Sequence, residues 1–359
     1  MSCPVCRMPY VPHPTISANP LPVHFPPQGM LTKQQYDYFN TGMGIGTTIM
    51  GVIRKLVYFS GNMFGGHKTK AMVISIVWES CGMTVFIAHV ACADLLRRAF
   101  NCEELNVTNL VTLCQITEVI GACGIGPNAG RLPYVNYNRV GEKIDLSNFW
   151  HDHAPGDEGN NYFDWKALGN SKYSWLVNRP DVFPKFPAKV DANRVPSEDF
   201  TIGENDAICN KPMDVLHALV PYLPARSYVM LVSTCRQLRY HALTTLQPHA
   251  RNIVISLVWP LPTRNEYNSA PKDVRAIMVS EDMAVSPVDA DWYMYLSRAH
   301  RTKGMRVRRW IWNSCQEIKR VYDERLPTSP FVVTKEGGKS KQRKELEKKV
   351  SQMFMMYNV

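Results

Sequence analysis

KPMDVLHALVPYLPARSYVMLVSTCRQLRYHALTTL, residues Lys211 to Leu246, decides how this chain is read. Val215, Leu216, Leu219, Val220 and Leu223 recur at helical spacing, Pro224 ends the run, and Val229, Val232, Cys235 and Leu238 begin a second apolar stripe. The spacing predicts two short amphipathic helices joined by a proline turn. A hairpin of that size cannot bury both apolar faces by itself, so part of its surface must meet another element or another protein. That points to an interaction module rather than a catalytic cleft. The pattern leaves open the alternative of two ordinary core helices inside a larger α domain.

The segment resembles an F-box. Members of that family open on Leu-Pro, an acidic residue and an Ile-Leu pair, then an apolar residue, a Leu-Pro turn, a capping residue and a second helix rich in Leu, Val and Cys. Pro212, Asp214, Val215, Leu216, Leu219, Leu223, Pro224, Ser227, Leu231, Cys235, Arg236 and Leu238 stand at matching positions. Lys211 replaces the leading Leu, Tyr228 occupies a common Leu position, and Ser227 is expected to cap the second helix. The order of motifs along the rest of the chain is similar to that of fungal, mainly basidiomycete, F-box-containing proteins. It runs CPVC at Cys3 to Cys6, HVAC at His89 to Cys92, Asp164-Trp165, RPDVFPKF from Arg179, the F-box, and the basic stretch from Asp291 to Trp312.

The resemblance implies a non-catalytic adaptor. Pro212, Val215, Leu216, Leu219, Leu223, Pro224, Leu231, Cys235 and Leu238 would contact a Skp-type adaptor of a cullin-RING ubiquitin ligase, an SCF complex. Another region would capture an unknown protein substrate for ubiquitylation. The expected fold class is α+β. It has an N-terminal antiparallel β meander with helices in a treble-clef-like arrangement, a central F-box helical hairpin and a long basic C-terminal helix. The expected organisation is an N-terminal domain over 1–125, a polar and aromatic region with a Pro-rich linker over 126–207, the helical module over 208–250, a β run and long helix over 251–330, and a basic tail over 331–359.

Length and composition agree with several domains. The chain has 359 residues, 45% of them hydrophobic, enough for two or three cores. No stretch approaches eighteen apolar residues and the first residues lack a secretory pattern, so the expectation is a cytoplasmic or nuclear protein with no membrane partner. Ten cysteines without such a signal read as free thiols or metal ligands rather than a disulfide framework. The net charge of +10 lies entirely in the stretch from Arg298 to Val359, where sixteen Lys or Arg meet six Asp or Glu. A basic end of this kind is either a solvated face or a surface for nucleic acid, an acidic protein or a membrane. The nucleic-acid surface gives the rival reading, a nucleic-acid-binding protein with a zinc-supported N-terminal domain and Arg298 to Lys349 as its contact surface.

The metal reading rests on spacing. A Cys-x-x-Cys knuckle, a β-hairpin and a helix whose first turn supplies two more ligands make the layout of a structural zinc site. Cys3, Cys6, His89 and Cys92 are the candidate ligands, and a closed four-ligand set leaves no open position for catalysis. Cys81 and Cys102 lie near enough to compete, and Cys3 and Cys6 also read as unstructured terminal thiols.

Between these landmarks, a short helix is expected over Thr32 to Phe39, then a flexible glycine turn at Gly42, Gly44 and Gly46 that fits no phosphate loop. Strands are expected at Val52 to Ser60, Ala71 to Trp78 and Met83 to Ile87, and helices from His89 and over residues 103–123. Cys114 reads as core. His151, Asp152, His153, Asp157 and Glu158 read as a solvated loop, and Arg179 to Asp206 as a hinge-like linker or extended strap. Arg251 to Trp259 reads as a strand. One helix is expected to run on to Arg325, capped by Ser286 or Asp289 and stopped by Pro327, with Trp310 inward and its arginines outward. The tail reads as disordered or frayed. No GxSxG, HExxH or supported Ser-His-Asp set is present, so an enzyme is not expected.

Overall fold

The computed structural model describes residues 2–11, 25–46, 56–57, 85–104, 106–121, 131–140, 142, 144–151, 162–200, 208–280, 286–332 and 338–357. The expected strand Ala71 to Trp78, most of Val52 to Ser60, Cys81, and the loop residues Asp152, His153, Asp157 and Glu158 lie outside them. The fold is mixed and mostly helical, with two small antiparallel sheets. The chain forms two compact units, one of Met1–Arg179 with Arg309–Val359, the other of Pro180–Arg308.

In order, the elements are α1 (Lys33–Phe39), β1 (Thr41–Gly46), β2 (Leu56–Val57), β3 (Val85–His89), α2 (Val90–Ala99), α3 (Val107–Ile120), β4 (Trp150–His151), β5 (Tyr162–Phe163) and α4 (Trp165–Asn170). Then come α5 (Met213–Leu219), α6 (Ala225–Leu231), α7 (Arg236–Leu243), α8 (Gln247–Leu257), α9 (Arg264–Ser269), α10 (Lys272–Arg275), α11 (Trp292–Arg301), α12 (Lys303–Arg325) and α13 (Lys341–Tyr357).

In the first unit, Thr32 and Gln35 form a capping box that starts α1, and Asn106 caps α3 through the Asn109 amide at 2.8 Å. The glycine stretch is not a turn. It is β1, the centre of a sheet ordered β2-β1-β3, with Gly42 opposite His89 and Gly46 opposite Val85. Glycine accepts an extended backbone as readily as a bend, and the partner that supplies the ladder lies some forty residues on, where local reading does not see it. Among the described residues the sheet therefore contains a strand, β1, that the expected runs did not include. Helix α13 packs along α3, with Leu346 and Val350 buried, so the described part of the tail is an ordered helix. Its apolar residues four apart share one face, which the high charge of its sequence obscured.

In the second unit, α11 packs along α8 around Val220, Tyr228, Val254, Trp292 and Tyr295. Arg251 to Leu257 is thus helix and not strand, with Val258 and Trp259 following its end. Ala250, Ile253, Val254 and Leu257 face this core at helical spacing, and that stripe overrides the β propensity of its Ile and Val residues. The expected single C-terminal helix is two, because Thr302 is extended between α11 and α12. Asp291, and not Ser286 or Asp289, caps α11 by accepting from the Met294 amide at 2.9 Å. The chain does stop at Leu326–Thr328, a turn containing Pro327. Residues 180–200 are strap rather than hinge. Phe186 lies 4.7 Å from the Trp292 ring, Val190 and Val195 pack on the same core, and the Pro187 carbonyl accepts from the Asp291 amide at 3.1 Å.

Candidate metal centre

The N-terminal knuckle is built by its backbone. The Arg7 amide donates to the Cys3 carbonyl at 2.7 Å, the Cys3 amide donates to the Met8 carbonyl at 2.9 Å, and Ser2 pairs with Pro9 in an isolated antiparallel bridge. The turn closes with Arg7 in the left-handed region at φ 58°, a conformation that costs an arginine more than a glycine. Its guanidinium lies 5.3 Å from the centroid of the Tyr137 ring, and the Tyr137 hydroxyl donates to the Pro4 carbonyl at 2.6 Å. Both contacts pin the knuckle to the first unit.

The second pair of ligands comes from the junction of β3 and α2. His89 ends the strand and precedes the helix, and Cys92 lies in the first helical turn. The junction brings the pair onto the knuckle. Cys6 Sγ lies 3.2 Å from His89 Nδ1, and the His89 amide donates to Cys3 Sγ at 3.4 Å. One ligand atom from each of Cys3, Cys6, His89 and Cys92 lies within 4.8 Å of all the others, and all four residues are buried. A tetrahedron with arms of about 2.3 Å has edges of about 3.8 Å, so closing the set on an ion needs shifts of about 1 Å. Cys102 is not in the cluster. Its thiol donates to the Phe100 carbonyl at 3.2 Å, and burial pushes its pKa up to about 11.

Three thiols in a dry pocket create an electrostatic conflict. Burial works against ionisation of Cys3, but hydrogen bonds from Cys6 and Cys92 and the proximity of His89 outweigh it and hold Cys3 well below the ordinary thiol range. Burial, followed by the interactions with Cys3, pushes Cys6 and Cys92 well above that range. One negative charge is accommodated and further ones are not. A divalent cation removes the conflict by accepting all three thiolates, so the donor set fits a metal ion. The residues around the cluster were not evident from motif spacing. Tyr10 packs 4.5 Å from the His89 ring, Tyr38 stacks on it at 5.2 Å, and Phe39 meets it edge-on at 5.5 Å. The Thr32 to Phe39 helix carries two of these three aromatics, and that was their only trace in the sequence.

The expected adaptor-contact residues differ in burial. The hairpin is three helices, α5, α6 and α7, with a 3-10 turn at Val220–Tyr222 after α5. Pro212 and Pro224 sit at the starts of α5 and α6, and Ser227 lies inside α6 without capping it, because Pro224 already marks the helix start. Leu216 and Leu238 are buried, while Leu223, Leu231 and Cys235 are half-buried. Val215 is 47% exposed and Leu219 43%, joined by Tyr222 and Met230 at 85% and 61%. Tyr222 and Met230, which were not singled out from sequence, are exposed as well. Leu216 and Leu238 anchor the segment in a small core, while Val215, Leu219, Tyr222 and Met230 stand in solvent.

Elsewhere, Cys114 is buried core, its pKa pushed up to about 12 by burial and then by Glu118. His151 is exposed and stacks on Tyr162 at 4.9 Å. Among the described residues no helix is long and apolar enough to cross a membrane. Comparison with protein-family models, with curated proteins and with solved structures finds no match to this chain.

Proposed function

We propose that this protein is a non-catalytic adaptor of the F-box type, whose 208–250 segment docks a Skp-type subunit of a cullin-RING ubiquitin ligase while another region holds a protein substrate. The chemistry of ubiquitylation belongs to partner enzymes. This chain supplies proximity, which turns a bimolecular encounter into a local one. The observation that carries the proposal is the split of the hairpin into the anchored Leu216 and Leu238 and the exposed Val215, Leu219, Tyr222 and Met230. Four apolar side chains held in water by a folded helical segment cost solvation that a partner's apolar surface recovers. The cytoplasm and nucleus, where such ligases operate, are the matching location.

Zinc is the metal proposed for the Cys3, Cys6, His89 and Cys92 set, in a treble-clef-like arrangement. Three thiolates and one imidazole are a soft, closed, tetrahedral donor set with no position left for a reacting water. Its role is architectural. The basic C-terminal region favours the adaptor over a nucleic-acid surface, because Arg308, Arg309 and Arg320 are each engaged by a carboxylate.

The Leu219→Asp variant tests the adaptor reading. Its side chain is exposed, so the fold should survive as judged by circular dichroism, while co-purification with a Skp-type protein should be lost. A folded Leu219→Asp variant that still binds overturns the assignment. For the metal, elemental analysis of the purified chain should find one zinc per molecule, and the Cys92→Ser variant should lose it.

A further inference from the structure

We propose that Cys209 and Cys235 form a redox-sensitive pair, which an oxidant of the peroxide class closes into a disulfide across the helical segment. Cys209 lies in the turn before α5, and Cys235 begins α7, where its sulfur accepts from the Leu238 amide at 3.5 Å. The two Sγ atoms are 3.4 Å apart although the residues are separated by 26 positions. They belong to one small cluster with Leu216 and Leu238, against which Met213 and Leu231 also pack. The pair is asymmetric. Cys209 is buried and Cys235 is half-buried, so an oxidant in solution reaches Cys235 and finds Cys209 behind it. A solvent-accessible thiol with a second thiol in contact is the arrangement in which a first oxidation is resolved by a disulfide instead of proceeding further.

The chemistry balances with one peroxide. The Cys235 thiolate attacks a peroxide oxygen; the S–O bond forms, the O–O bond breaks, and hydroxide leaves and takes up the proton lost by Cys235, giving a sulfenic acid and water. Cys209, as its thiolate, then attacks the Cys235 sulfur. The S–S bond forms, the S–O bond breaks, and the departing hydroxide takes up the proton from Cys209 as a second water. Two thiols have lost two electrons and two protons, and one peroxide has become two waters. Reaching a bonded separation requires an approach of about 1.4 Å, which falls on a surface turn and a side-chain rotation and not on a helix. The bond would tie the approach to α5 to the start of α7, with the exposed Val215 and Leu219 on the helix between. It restricts the unfolded chain and stiffens the segment. The disulfide does not depend on what binds there.

The test uses the full chain with its metal bound. The protein is exposed to a small molar excess of hydrogen peroxide, its remaining thiols are alkylated, and it is digested without reductant for mass spectrometry. Expected is a linked pair of peptides carrying Cys209 and Cys235, lost on treatment with dithiothreitol, together with a thermal midpoint raised by several degrees over the reduced protein. In the Cys209→Ser variant, Cys235 should instead be trapped as sulfenic acid by dimedone, with no rise in midpoint. Two results overturn the proposal. In one, both thiols are alkylated after the exposure; in the other, Cys235 is carried to sulfinic acid while Cys209 remains alkylatable. Neither outcome bears on the Leu219→Asp experiment, so the two proposals fail separately.

Discussion

Arg308 is fully buried, yet each of its N–H groups finds an acceptor. Nε donates to the Trp259 carbonyl at 2.6 Å, the two terminal nitrogens meet the Glu266 carboxylate at 2.6 and 2.8 Å, and the remaining donors reach the carbonyls of Leu261 at 2.9 Å and Pro180 at 3.4 Å. The guanidinium also lies 4.6 Å from the centroid of the Phe183 ring. Glu266 serves twice, since its other bond, accepted from the Thr263 amide at 2.8 Å, completes the capping box of α9. A planar fork satisfied on all sides is the condition under which a buried charge is tolerable, and the same condition makes removal of one partner costly. Glu266→Ala should therefore lower the unfolding free energy by about 3–5 kcal/mol, read from urea titration, whereas Glu266→Met combined with Arg308→Met should cost less than the two single changes added together. Sequence made Trp310 legible as a core residue, since aromatic side chains on an amphipathic helix go inward. It did not reveal Arg308, because a run of arginines gives no sign of which one faces a distant carboxylate.

At the level of the elements, α5 and α8 meet through two histidines. His217 Nδ1 and His249 Nε2 are 3.0 Å apart, a bond that needs one nitrogen bare so that the other can donate. Partial burial, followed by the nearby His217, lowers the pKa of His249; the same two causes lower that of His241 on α7, with Glu198 working in the opposite direction. A histidine whose folded-state pKa is depressed takes up fewer protons when folded than when unfolded. Its contribution is present above the unfolded value of about 6.5 and is lost as pH falls through the folded one. The melting midpoint should hold steady between pH 8 and pH 7 and decline below about pH 6.5. His249→Gln should flatten that decline in a fluorescence-monitored thermal scan. The same elements show what was legible in the sequence. Leu216 and Leu219 announced α5 through apolar spacing, and Pro224 marked the turn between the helices, although the second helix starts there and not at the expected Ser227 cap. Helix α8 was missed because Ile253, Val254, Ile255 and Val258 weigh toward strand by composition, although Ala250, Ile253, Val254 and Leu257 already describe a helical face. Strand β1 was missed for a different reason, as its pairing is non-local.

For the molecule as a whole, the Cys3, Cys6, His89 and Cys92 cluster brings together two pieces of chain that have no local reason to meet. The ligand types and their spacing within each pair were readable. What sequence could not give was the closure across the 82 residues between Cys6 and His89, which depends on β1 pairing with β3 and on the aromatic packing of Tyr10, Tyr38 and Phe39 around the histidine. Closing so long a loop is entropically unfavourable, and a metal that bound only the closed form would offset that cost, so on the proposed zinc reading metal affinity and local folding are one quantity. Two of the candidate ligands resist ionising beside the third, since burial and then Cys3 push the Cys6 and Cys92 thiols well above the ordinary range. Acid therefore competes with the metal, and affinity should fall as pH is lowered. Removing the metal with a chelator at neutral pH should expose residues 2–11 and 85–99 to amide hydrogen exchange first, while α8 and α11, whose core contains no ligand, keep their protection. Hydrogen-exchange mass spectrometry with and without the chelator reads this directly. Uniform loss of protection along the whole chain, or none around the knuckle, would show that the four ligands do not hold this part of the fold together.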